Sequence, residues 1–113
     1  MLDSLELLVV DLQDVGTRVY TYIWTVIYCL EACAEAGLPV LILDRPNPLG
    51  GVVVVGPLLE PEWTSFVGLM SIPMRHGLTV GELAGWAQRE RHLPVSLKVC
   101  RMDGWRRSML FPE

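Results

Sequence analysis

The sequence has 113 residues, 51% of them hydrophobic, a mean hydropathy of +0.38 and a net charge of −4 from nine Lys and Arg against thirteen Asp and Glu. That length holds one compact core and is too short for two ordinary domains, and an acidic balance whose only basic cluster is Arg89, Arg91, Arg101, Arg106 and Arg107 argues against a nucleic-acid partner. The apolar stretch from Tyr22 to Leu30 falls far short of the roughly 20 residues that a membrane span needs, and no export signal stands at Met1.

Residues 5–11, LELLVVD, form a nearly continuous apolar run, the pattern of a central parallel strand covered on both faces. Over 20–36 the apolar positions Ile23, Val26, Ile27, Leu30 and Cys33 recur at helical spacing, with Glu31 and Glu35 on another face. Gly37 and Pro39 supply the stop signal. A second buried strand over 40–43 ends in Asp44, about 33 residues after Asp11, the length of a β-α-β unit with right-handed parallel pairing. Arg45 to Gly51, RPNPLGG, reads as a stiff loop, because prolines force the residues before them into extended conformations and the glycines close the turn.

A short strand is predicted over 52–55, and residues 57–77, rich in Pro, Gly and Trp, read as a long functional loop, too apolar for a disordered linker. Thr79-Val80-Gly81-Glu82 is a capping box that opens a helix with Val80, Leu83, Ala84 and Ala87 on one face. Pro94 ends that connection, and the alternation over 95–100 predicts a strand near a sheet edge. The hydrophobic fraction is high for a domain that must cover its own surface, a strand begins almost at residue 1, and Phe111-Pro112-Glu113 carries no terminating signal. The chain therefore reads as a fragment of a larger domain, with missing segments of its own parent chain as a partner.

Two successive parallel strands each end in an aspartate, Asp11 and Asp44, and the loops beyond them add Asp14, Arg18, Arg45 and Asn47. Neighbouring strands lie about 5 Å apart, so such side chains can share one cleft at the carboxyl end of the sheet. Helix capping competes as a role for Asp11 and Asp14; a salt bridge to Arg45 or Arg18 competes for Asp44. A dinucleotide site is argued against by the first turn, Asp11 to Arg18, which has one glycine and two carboxylates that would repel a pyrophosphate. His76, in Arg75-His76-Gly77 just before a helix, could donate to a ligand or move a proton, or simply pack in a turn.

Tyr20, Tyr22, Trp24 and Tyr28 crowd the first helix, with Trp63 and Phe66 in the long loop. Aromatic rings beside carboxylates and amides suit a carbohydrate, although Trp24 and Tyr28 fit a core role better. Three cysteines without a C-x-x-C pair read as buried or inert thiols, Cys29 and Cys33 four apart on one helix and Cys100 late in a strand. No pair of ligand-type residues has metal-site spacing.

The strings DLQDVGTRVYTY, AEAGLPVLILDRPNPLGG, GPLLEP, SFVG, IPMRHGLTVGELA and GWRRSMLF resemble, in order and spacing, the central part of the exo-β-N-acetylmuramidases of the NamZ-like glycoside hydrolases, many of them known only as a domain of unknown function. The resemblance runs from about Leu5 to Glu113, and Trp24, where similar proteins more often carry a small residue, departs from it. It implies an α/β fold: a Rossmann-like, mostly parallel sheet with helical crossovers, here incomplete, whose N-terminal part and second domain are absent. It implies release of N-acetylmuramic acid from the non-reducing ends of peptidoglycan fragments, by a full-length protein that is extracellular or periplasmic, without a cofactor.

On this resemblance Asp11, Asp14 and His76 are catalytic candidates, and Arg18, Tyr20, Asp44, Arg45, Asn47 and Arg75 would line the substrate cleft. The leading acid is the glutamate of a Pro-Glu-His-Gly stretch that these residues do not contain. Asp11 or Asp14 would be the second carboxylate, and Arg45 or Arg75 the partner of the sugar's lactyl carboxylate. The other reading is a non-catalytic α/β module that holds a small anionic sugar or nucleotide.

Overall fold

A computed structural model describes residues 2–112. Met1 and Glu113 lie outside the described residues, and with them the sequence readings of the two chain ends. The elements in chain order are β1 (Leu8–Val10), α1 (Tyr22–Ala36), β2 (Val40–Leu43), β3 (Val55–Leu58), β4 (Pro73–Arg75), α2 (Val80–Glu90) and β5 (Leu97–Cys100), with single 3-10 turns at Leu2–Ser4 and Pro61–Trp63. β1, β2 and β5 form a parallel sheet in that order, and β3 pairs with β4 in a separate antiparallel ribbon. The fold is α/β with a mostly parallel sheet, as the spacing of apolar runs predicts.

Both helices pack over the sheet face that carries Val40 and Ile42. Ile23, Ile27 and Leu30 of α1 and Leu83, Ala84 and Ala87 of α2 are buried in the same core as those two strand residues. The helices follow their sequence signals closely. Gly37 adopts the left-handed conformation (φ 67°) and its N–H, with that of Leu38, donates to the Cys33 carbonyl, closing α1. α1 begins at Tyr22 rather than Tyr20, and its N-cap Thr21 makes no side-chain bond. At α2 the capping box is complete: Thr79 Oγ1 accepts from the Glu82 N–H and the Glu82 carboxylate accepts from the Thr79 N–H. Gly81 lets that helix approach the sheet closely, since a Cβ there would lie 2.5 Å from Val99 Cγ1 and 3.0 Å from Asp44 Cγ.

Several sequence expectations change, and Tyr28, which the sequence assigns to the core, is 45% exposed. The run LELLVVD pairs only over Leu8–Val10, and on the sheet face away from the helices Val9, in register with Leu41 and through it with Lys98, is 49% exposed. A continuous apolar run cannot say which of its two faces the described chain covers. The strand expected over 52–55 is Val55–Leu58 instead, because its register is dictated by β4, with Val55 opposite Arg75 and Leu58 opposite Pro73. The long loop over 57–77 accordingly contains β4 as well as the 3-10 turn at Pro61–Trp63. Among the cysteines, Cys33 is buried and Cys29 half-buried, with burial pushing both thiols up, whereas Cys100 is exposed at the sheet edge; all three are free.

Candidate active site

The loop after β1 crosses the carboxyl end of the sheet and meets the segment that leads into α2. Thr17 bridges to Arg75, and the Arg18 N–H donates to the Met74 carbonyl at 2.8 Å, so the Asp14 loop lies alongside β4. This brings together two buried groups from distant parts of the chain: Asp14, 5% exposed, and His76, 4% exposed. Asp14 Oδ2 accepts from the Gly16 N–H at 3.0 Å and stands 3.6 Å from His76 Nε2. His76 Nδ1 accepts the Leu78 N–H at 3.1 Å. That nitrogen is therefore the ring's acceptor, and the ring proton sits on Nε2, facing the carboxylate.

The pair is poised rather than closed, since 3.6 Å is longer than a hydrogen bond. Asp14 Oδ1, His76 Nε2 and Arg75 Nε are the buried side-chain polar atoms without a hydrogen-bond partner among the described residues. Buried polar groups are expensive to leave unpaired, about 1–3 kcal/mol each. The unpaired atoms belong to Asp14 and to the adjacent residues Arg75 and His76, so they gather at one place.

A cavity of about 430 Å³ lies against Asp14, walled by Gln13, Asn47, Trp105, Leu110 and Phe111 among others. Its position agrees with the rule that ligands bind beyond the carboxyl ends of parallel strands, and its size falls in the range of small-molecule sites. Its shape depends on a tight loop. Gly16 has φ 86°, and a Cβ there would lie 2.4 Å from Asn47 Oδ1, so that position admits no side chain. Asn47 holds the loop from the other side: its Nδ2 donates to the Leu78 carbonyl and its Oδ1 accepts from the Leu49 N–H, both at 2.9 Å. Gln13 Nε2 donates to the carbonyls of Asp14 and Pro46, and Arg75 Nη2 donates to the Leu49 carbonyl.

The remaining residues singled out from sequence are distributed around this centre. Arg18 is buried, its Nη1 donating to the carbonyls of Pro57 and Ile72 at 2.8 Å each, which ties the loop to β3 and to the segment before β4. Tyr20 is exposed, its ring tilted 60° to that of Tyr22 with centroids 4.8 Å apart, and its hydrogen bond with Tyr22 raises its phenol. Asp11 and Arg45 form a bidentate ion pair, Nε to Oδ1 at 2.6 Å and Nη2 to Oδ2 at 2.8 Å, about half exposed. The Arg45 guanidinium holds the Asp11 carboxyl below its ordinary value of 3.8, and Asp11 in turn raises Arg45.

Among the described residues Asp44 forms no ion pair with Arg45 or Arg18, although the Arg45 backbone N–H donates to its Oδ1 at 3.1 Å. Its Oδ2 accepts from the Thr79 hydroxyl and its Oδ1 from the Gly81 N–H, each at 2.8 Å, at the positive end of the α2 dipole. Thr79→Ala removes the helix cap and this hydroxyl donor together. A loss of about 1–2 kcal/mol is expected in a urea titration of the full-length protein, with Thr79→Ser restoring most of it. Asp11 and Asp44 thus face different partners, and Asp14 is the carboxylate that meets the histidine. Trp105 and Phe111, which wall the cavity, are marked in the sequence only as the second and last residues of the GWRRSMLF string, with no site role attached. Among the described residues no group of three or more His, Cys, Asp or Glu could hold a metal ion, and no helix is long and apolar enough to cross a membrane.

Comparison with known proteins places this arrangement. The family described as exo-beta-N-acetylmuramidase NamZ, N-terminal, matches residues 1–113. The peptidoglycan beta-N-acetylmuramidase NamZ of Bacillus subtilis strain 168 is 50% identical over 113 residues, which is 100% of this chain and 27% of the relative. Crystal structures of two DUF1343 family proteins of Bacteroides fragilis superpose with TM-scores of 0.89 and 0.86 at 44% and 41% identity, each over 94% of this chain and over 28% and 31% of their own. The chain therefore spans about 27–31% of the length of these proteins. A match that runs from the first residue to the last, carried on a shared fold, shows that the chain belongs to the NamZ exo-β-N-acetylmuramidase family and carries its N-terminal region.

Proposed function

We propose that these residues form part of a Rossmann-like catalytic domain in a glycoside hydrolase that releases N-acetylmuramic acid from the non-reducing ends of peptidoglycan fragments. The observation that carries the reading is the buried Asp14–His76 pair, with Asp14 Oδ1 unpaired beside a cavity at the carboxyl end of the sheet. Family membership supplies the reaction class and argues against a non-catalytic binding module.

Glycoside cleavage uses two carboxyl groups, one to protonate the leaving oxygen and one to act on the anomeric carbon or on water. Asp14 fills the second role in this proposal, and the first falls to the Pro-Glu-His-Gly glutamate that the resemblance implies elsewhere in the full-length protein. His76 is a positioning residue: its Nε2 proton faces Asp14 and would hold the carboxylate once the 3.6 Å gap closes. Arg75, whose Nε has no partner among the described residues, is suited to the lactyl carboxylate of muramic acid. Asp11 is neutralised by Arg45 and does not line that cavity. A second domain would complete the cleft, and on this reading the full-length protein is extracellular or periplasmic.

The test is release of chromophore and free N-acetylmuramic acid from a chromogenic β-muramide by the full-length protein. Turnover of that substrate, with none of the corresponding N-acetylglucosaminide, is the expected result. A folded protein that releases muramic acid neither from the chromogenic compound nor from peptidoglycan fragments would overturn the reading.

A further inference from the structure

Beside the cavity at Asp14 lies a larger one, about 970 Å³, between α2, the carboxyl ends of β2 and β5, and the segment after β5. Trp105 lines both and forms the partition between them. That wall is held in place. The Arg107 guanidinium lies 5.9 Å from the Trp105 ring centroid, its Nη1 donates to the Gly77 carbonyl at 3.1 Å, its Nη2 pairs with Glu82, and its own carbonyl accepts from the Gly51 N–H at 2.8 Å.

The charges in the larger cavity do not cancel. Its two carboxylates are already satisfied, Asp44 by the start of α2 and Glu82 by Arg107 and the Thr79 N–H. Arg89 and Arg101 line the same cavity, and neither has a carboxylate partner among the described residues. Arg89 folds back along its helix, where Gly85 leaves room: a Cβ at Gly85 would stand 3.6 Å from Arg89 Nη1. Trp86 adds a second indole to the wall. Two uncompensated guanidiniums with two indoles form a surface for a ring-bearing anion, since aromatic faces take the apolar faces of sugars and guanidiniums take carboxylates.

We propose that this larger cavity is a second subsite, which binds the reducing-side part of an acidic amino-sugar chain through Arg89, Arg101, Trp86 and Trp105 while the terminal sugar occupies the cavity at Asp14. The ligand class is a carboxylate-bearing glycan of two or more sugars beyond the scissile bond. The subsite rests on the glycosidase reading for its ligand, but its binding is measurable without turnover.

The experiment is calorimetric titration of the full-length protein and its Arg89→Ala/Arg101→Ala variant. The probes are free N-acetylmuramic acid, an oligosaccharide that carries a second muramic acid on its reducing side and a sulfur-linked, uncleavable terminal bond, and the same oligosaccharide with that second carboxylate as its methyl ester. The variant is expected to bind the acidic oligosaccharide about tenfold more weakly, to bind the monosaccharide unchanged, and to bind the ester as the wild type does. Equal affinity of variant and wild type for the acidic oligosaccharide overturns the subsite, as does equal weakening for the monosaccharide or no binding of the oligosaccharide to the wild type. Arginine-dependent binding in a protein that releases no muramic acid from the oxygen-linked form of the oligosaccharide would retain the subsite and remove the glycosidase reading.

Discussion

Asp14→Asn in the full-length protein is expected to lower the release of terminal N-acetylmuramic acid by about 10²- to 10⁴-fold, with the loss in kcat rather than KM. The substitution is nearly isosteric, and an asparagine oxygen can still accept from the Gly16 N–H that holds the loop, so the cavity keeps its walls. What disappears is a carboxylate that can attack or take a proton. Asp11→Asn is the internal comparison, because Asp11 is half exposed and paired with Arg45 away from the cavity; it is expected to leave the rate nearly unchanged. Steady-state kinetics on a chromogenic muramide, with circular dichroism to verify folding, distinguishes the two. A full rate in Asp14→Asn, or a large loss confined to Asp11→Asn, would move the second carboxylate to Asp11 and leave the Asp14–His76 pair structural.

The second large effect is on stability. Trp24 is fully buried in α1, and its indole N–H donates to the Arg18 carbonyl at 2.8 Å. Trp24→Ala should cost about 3–5 kcal/mol, a large part of a typical domain's 5–15 kcal/mol, because it opens a cavity and leaves that carbonyl unpaired. Trp24→Phe separates the two contributions: it retains most of the ring volume and should lose about 1–3 kcal/mol through the missing donor. Denaturant midpoints of the full-length variants measure both. Arg18 also carries the link to Pro57 and Ile72, so Trp24→Ala is expected to loosen the Asp14 loop and reduce activity along with stability. A change below about 1 kcal/mol in Trp24→Ala would show that neighbouring side chains refill the site.

These two expectations differ in how far the sequence alone reaches them. The burial of Trp24 follows from helical periodicity, since Ile23, Val26, Ile27, Leu30 and Cys33 define one apolar face around it. Its hydrogen bond to Arg18 does not, because the loop before α1 has no periodic signal to orient it.

What the sequence by itself determined lies within single elements: the strand–helix–strand unit, the Gly37 stop, the capping box at Thr79 and the inward face of α2. Each depends on residues one to four positions apart, where backbone geometry dictates which side chains meet. Which residues partner one another across elements was decided only in three dimensions. Two aspartates at the ends of parallel strands look equivalent in the sequence, yet Asp44 is drawn to the start of α2 and Asp11 to Arg45. Asp14, which no strand end distinguishes, meets His76 because β4 carries that histidine back beneath the first loop. Partner choice among charges depends on distances through space, and those exist only after the β-α-β unit and the β3–β4 ribbon have packed together.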